Sequence, residues 1–210
     1  MFNTHMLSTR HLLYTLLCFM LPLCTEAQIG FRGGILAGAT TSQVAGDSYA
    51  GFNKIGLSAG PFVRMVFGSE GSMKMSMLYS QKGSRNKPDT EAGDFSYFKL
   101  KLNYIEVPVS YEYTRNNLRF EGGLYFAYLM TQKEDFGPGE GDPVPAYNDY
   151  DFGGQIGLTY QIVPESVFTS ITVSNSLTSI RKAPPSQTRI IGYDGQGYNH
   201  AINIHLGFQF

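Results

Sequence analysis

Past residue 24 the sequence contains no cysteine, and it contains no tryptophan at all. Both cysteines, Cys18 and Cys24, lie in the first 27 residues, which excludes a disulfide framework or a cysteine-held metal in the rest of the chain. Long apolar runs are equally absent beyond that point, and a membrane-spanning helix needs about 20 consecutive apolar residues. Excess charge is missing too: 16 Lys and Arg oppose 17 Asp and Glu, so no basic surface argues for nucleic acid. A chain of strands that alternate in polarity stays compatible with all of this, because such strands never produce a long apolar run.

The first 27 residues have the layout of a secretory signal peptide. Arg10 precedes an apolar segment, Leu12 to Leu23, and Thr25-Glu26-Ala27 offers small residues for cleavage before Gln28. A lipidated Cys24 is the rival reading, set against the bulky Leu21-Pro22-Leu23 before it. The expected organisation is a signal peptide over 1–27 and one β-barrel domain over 28–210.

Eight later segments alternate with a period of two: Ile29 to Thr40, Lys54 to Phe67, Met73 to Gly83, Tyr97 to Tyr113, Leu118 to Thr131, Asp149 to Ile162, Val167 to Leu177 and Asn199 to Phe210. In the last, Ile202, Ile204, Leu206, Phe208 and Phe210 share one face, with Asn203, His205, Gly207 and Gln209 on the other. Met73, Met75 and Met77 at the same spacing could hold a soft metal. No Cys or His alternates with them, and they read as lipid-facing. The segment Tyr97 to Tyr113 changes phase after Tyr104, which predicts a β-bulge near that residue. Pro61 and Pro108 interrupt strands, where proline loses a ladder bond, and Pro61 predicts a second local bulge.

The connections alternate between long and short, as extracellular loops and periplasmic turns do in membrane barrels. The expected fold is all-β: a transmembrane antiparallel up-and-down β-barrel of 8 strands with both termini in the periplasm, located in the bacterial outer membrane of a Gram-negative cell. Outward Phe31, Phe67, Tyr113, Phe120, Tyr160, Phe208 and Phe210 would form the periplasmic aromatic belt, and Phe98, Tyr128, Tyr150 and Phe152 the outer one. A soluble lipocalin-like barrel would need a densely charged opposed face, whereas Gly, Ser, Thr and Gln dominate it here.

The succession GFRGGILAGATTSQVAGD, GFNKIGLSAG, SMLYSQKGS, LNYIEVPVSYEY, GGLYFAYLM and DFGGQIGLTYQ resembles the PorT-like family of outer-membrane β-barrel proteins. The resemblance covers Ile29 to Phe210. It implies a barrel of about eight strands, porin-like or linked to protein secretion, and supplies no catalytic motif.

An eight-stranded barrel has room inside for side chains alone. The inward set contains Arg32, Arg64, Lys74, Lys82 and Arg119 against Glu106, Glu112 and Glu121, an expected charge network that fills the lumen; a polar ion path is the alternative. Function then falls to the outer loops, as membrane anchor, binding or secretion-accessory protein, with a small porin-like channel or a lipid-modifying enzyme as other readings. Acyl chemistry would need Ser and His in contact, and only His200 and His205 follow the signal segment. Glu134, Asp135, Glu140 and Asp142 could bind Ca²⁺, but no 12-residue ligand pattern is present. No catalytic, metal or cofactor residue is therefore designated. Expected partners are outer-membrane lipid, the barrel-assembly machinery and a secretion-system or cell-surface protein. Phe208 and Phe210 resemble a barrel-assembly signal, so deleting Phe210 should lower the amount of protein in isolated outer membranes. Unchanged levels on immunoblots would refute that role.

Overall fold

The computed structural model describes residues 29–46, 51–86, 88, 95–137, 139–143, 146–182 and 197–210; the expected signal peptide lies outside them. The strands are β1 (Ile29–Ala45), β2 (Lys54–Phe67), β3 (Gly71–Ser76), β4 (Leu78–Asn86), β5 (Phe98–Arg115), β6 (Leu118–Asp135), β7 (Glu140–Gly141), β8 (Tyr150–Val163), β9 (Val167–Ser176) and β10 (Tyr198–Gln209). β3 and β4 are successive parts of one stave, and β7 is a short extension beside β6. All pairings are antiparallel, and β10 pairs with β1 from Gly34↔Gln209 to Ala45↔Tyr198. The result is a closed ring of eight staves, as expected from the alternation. Following the register once around returns to β1 about ten residues along, a stagger that tilts the strands by roughly 40°.

Residues 68–70, 116–117 and 164–166 make the short connections, which define the turn end of the barrel; the longer ones define the loop end. Polar or small side chains point inward along most of the wall outside the loop-end half of β5, whereas Ile55, Leu57, Met73, Met75, Met77, Ile156, Leu206 and Phe208 are exposed on the outside.

Pro61 does not bulge its strand. Phe62↔Ser76 and Ala59↔Tyr79 belong to one uninterrupted register, which sets Pro61 opposite Met77. Met77 N–H donates to the Pro61 carbonyl at 3.0 Å, but proline has no N–H to return. On the other side, Met75↔Val109 and Leu78↔Glu106 place Pro108 opposite Ser76. Two prolines thus flank the same point, and the stave predicted as one strand over Met73 to Gly83 is interrupted at Met77.

The phase change after Tyr104 has a different origin from the one expected. β5 keeps a single phase: Phe98, Leu100, Leu102, Tyr104, Glu106 and Glu112 all point inward and are buried. Its apolar face switches from inside to outside, while Lys99, Lys101 and Asn103 turn outward. The register does slip there, between Asn103↔Thr131 and Tyr104↔Leu129, but the additional residue is Met130 of β6. Phe98 is accordingly inside, 3% exposed, and not in the outer aromatic belt. At the loop end Val44, Phe98, Leu100, Leu102, Tyr104, Tyr125, Ala127, Leu129, Tyr147 and Ile180 form a core of the kind found in soluble proteins.

A smaller cluster, Leu36, Phe62, Leu78 and Phe168, fills the lumen nearer the turns. Space for its rings comes from glycine: a Cβ on Gly207 would lie 2.2 Å from the Phe168 ring, and one on Gly34 2.5 Å from Phe62. Gly207→Ala should therefore destabilise the barrel by about 1–3 kcal/mol through overpacking. The urea midpoint of heat-modifiable gel mobility measures this, and adding Phe168→Leu should recover part of the loss; an unaltered midpoint in Gly207→Ala would count against the packing.

Candidate functional site

Alternation sends every second side chain of eight staves into one narrow lumen, so polar residues distant in sequence meet there. Two charged groups form. In the first, Arg64 of β2 donates to Glu112 of β5 through Nε at 2.5 Å and Nη2 at 3.1 Å, and its Nη1 donates to Gln209. Lys74 of β3 lies between Glu112, at 3.4 Å, and Glu121 of β6. Ser72 Oγ and Thr172 Oγ1 donate to Glu112 and Glu121 at 2.9 and 3.1 Å. Two cations and two anions therefore balance. The Arg64 guanidinium also lies 5.2 and 5.4 Å from the Phe62 and Phe168 rings, a cation–π geometry.

Nearer the loop end Lys82 and Glu106 pair at 2.6 Å, and the ammonium sits 4.5 Å from the centre of the Tyr125 ring. Asp151, fully buried, accepts from Asn199 Nδ2 at 2.9 Å and from the Tyr125 hydroxyl at 3.3 Å. Asn199 Nδ2 also reaches the Tyr104 hydroxyl at 3.2 Å. Asp151, Asn199 and Tyr125 have inward parity in the sequence, but parity alone shows no partner, and Tyr104 resembles a lipid-facing aromatic until the polarity switch is known.

Arg32 and Arg119 stand apart from both groups. Arg32 pairs with Glu165 in the β8–β9 turn at 2.9 Å. Arg119 is 8% exposed, and its Nη1 is shut from solvent without a partner. His205 faces the lumen, and the hydrogen-bond partner of His200 is Asn175, at 2.5 Å. At the loop end Glu140 meets Lys101, and Asp142 meets Lys133 at 2.7 Å. The Lys101 hydrogen bond holds the Glu140 carboxyl below the ordinary range. Phe208 and Phe210 lie at the turn end, where Phe210 N–H donates to the Gly33 carbonyl at 2.9 Å.

The outer membrane protein beta-barrel domain family matches residues 20–182. This chain belongs to that family. Neisserial surface protein A is similar in fold at 13% identity and a TM-score of 0.53, over 86% of this chain and 99% of that one. Ail, the attachment invasion locus protein of Yersinia pestis, aligns at 13% identity and a TM-score of 0.49, over 85% and 98%. A comparison with curated proteins finds no match.

As an outer-membrane β-barrel of the bacterial outer membrane, the ring turns its apolar band to lipid. Short turns of such barrels face the periplasm and long loops the exterior, so Arg32, Arg119 and Phe210 lie at the periplasmic mouth and the apolar core at the extracellular one. Breaking a dry ion pair leaves a buried charge and costs about 3–5 kcal/mol. Glu106→Ala should therefore lower the temperature at which the folded gel band disappears, and adding Lys82→Met should restore much of it. An unshifted temperature in Glu106→Ala would deny the pair a stabilising role.

Proposed function

We propose that the protein is a closed barrel that anchors and presents a binding surface at the extracellular rim, in a surface-binding or secretion-accessory role, rather than conducting solutes. One observation carries this reading: beyond a vestibule at the periplasmic mouth, the lumen is occupied by side chains. The periplasmic half holds the Arg64–Glu112–Lys74–Glu121 group and the Leu36–Phe62–Leu78–Phe168 cluster. The extracellular half holds the Lys82–Glu106 pair beneath ten buried residues, each no more than 8% exposed. Water or ions would have to displace well-packed apolar residues, at a cost of several kcal/mol. Resemblance to the PorT-like family supports the secretion-linked form of this role and a protein partner on the cell surface or in a secretion system.

The rim has chemistry suited to recognition. Lys99, Lys101, Lys133, Glu140 and Asp142 are paired at the surface, and Phe136, 62% exposed, contacts the Phe98 ring. Purified protein in planar bilayers should give no single-channel steps. Reproducible ohmic steps, abolished by heat denaturation, would overturn the anchoring role in favour of a channel.

A further inference from the structure

A cavity of about 360 Å³ lies at the periplasmic mouth, among the three short turns. Arg32, Arg64 and Arg119 line it, together with Thr114, Asn117 and Gln161. Two of the arginines are committed, Arg64 to Glu112 and Gln209, and Arg32 to Glu165. Arg119 has neither a hydrogen bond nor an ion pair among the described residues, although it is more than nine-tenths buried. Its Nη1 is shut from solvent with no acceptor, which is costly, while Nε and Nη2 are left without a protein partner at the cavity it lines. Unmet buried donors are rare in folded proteins, and a bound ion or ligand is one way they are met.

We propose that this vestibule binds a carboxylate from the periplasm, held by Arg119. The charge balance selects the ligand class. Arg32 and Arg64 are paired with Glu165 and Glu112, which leaves Arg119 as the one lining cation with no anion in contact, and a singly charged anion matches it. A doubly charged phosphate would overcompensate it and meet Glu70 and Glu165 at the mouth, both lining residues. The planar guanidinium presents parallel N–H groups that fit the two oxygens of a carboxylate, and Thr114, Asn117 and Gln161 offer side-chain donors around it. Entry is from the periplasm, because the lumen above is filled. The carboxylate could belong to a small free acid or to a peptide C-terminus, which share this chemistry.

The test uses the mature protein purified in detergent, with the temperature at which heat-modifiable gel mobility is lost as readout. N-acetylglycine should raise that temperature saturably by several degrees; its amide, and sodium chloride at equal ionic strength, should not. Arg119→Gln should fold, match or exceed the unliganded wild type in stability, and lose the ligand-dependent rise. Glu70→Gln should retain or strengthen it. A tetrapeptide with a free C-terminus that acts at lower concentration than N-acetylglycine, while its amidated form is inert, would assign the site to chain ends; equal potency would assign it to small acids. A rise reproduced by chloride, or retained in Arg119→Gln, would overturn the proposal. So would binding seen in Glu70→Gln alone, since Glu70 would then be the partner of Arg119. Should Arg119→Gln fail to insert, saturation-transfer NMR of N-acetylglycine on the wild type and Asn117→Ala decides: no transfer to the wild type would overturn the site, and weaker transfer with Asn117→Ala would support it.

Discussion

Everything in this molecule depends on closing the sheet. In lipid no water satisfies an exposed N–H or C=O, so a spanning sheet must have no edge. The β1–β10 ladder closes it over Gly34 to Ala45, joining the first and last strands of the domain. Closure also leaves no edge on which a strand-interior proline can be tolerated. Pro61 and Pro108 adjoin the same part of the third stave, at Met77 and Ser76. The missing donors are thereby confined to one level of the wall, and the register on both sides is undisturbed.

Closure brings with it a narrow interior, and narrowness sets the lumen chemistry. Several large rings fit because the facing backbone carries no side chain, as where Phe168 lies against Gly207 and Phe62 against Gly34. Charges fit only in compensating sets, since dehydration of an isolated charge is expensive. The Arg64–Glu112–Lys74–Glu121 group satisfies that condition with donors and acceptors from β2, β3, β5 and β6. Arg119 does not, which is why the periplasmic vestibule stands out from the rest of the lumen.

The ring of strands and the outward faces of Met73, Met75, Ile156 and Leu206 were legible in the sequence, because a period of two leaves a direct trace in polarity. Inward placement of Arg64, Lys74, Glu112 and Glu121 followed from the same parity. Their partners did not, because the tilt of the staves brings together positions whose offsets depend on the register of every intervening pair. Arg32 illustrates this: its partner Glu165 lies in a turn, outside any alternating pattern. The bulge expected near Tyr104 is present, but its extra residue is Met130 of β6 and β5 itself does not turn over. Alternation reports which side of a strand is apolar, not which side faces in, and at Phe98, Leu100 and Leu102 the surroundings reverse while the backbone continues.

That reversal defines a waterline. On β5 the outward residues pass from Tyr111, Val109 and Ile105 to Asn103, Lys101 and Lys99, and on β6 from Phe126 and Tyr128 to Lys133. Sinking the barrel by one residue pair would drag ammonium groups into hydrocarbon, and lifting it would expose aromatic rings to water. Immersion depth is therefore set by the protein, and a bilayer of unequal thickness must adjust its own lipid around the wall. The extracellular rim consequently stands at a constant height above the headgroups.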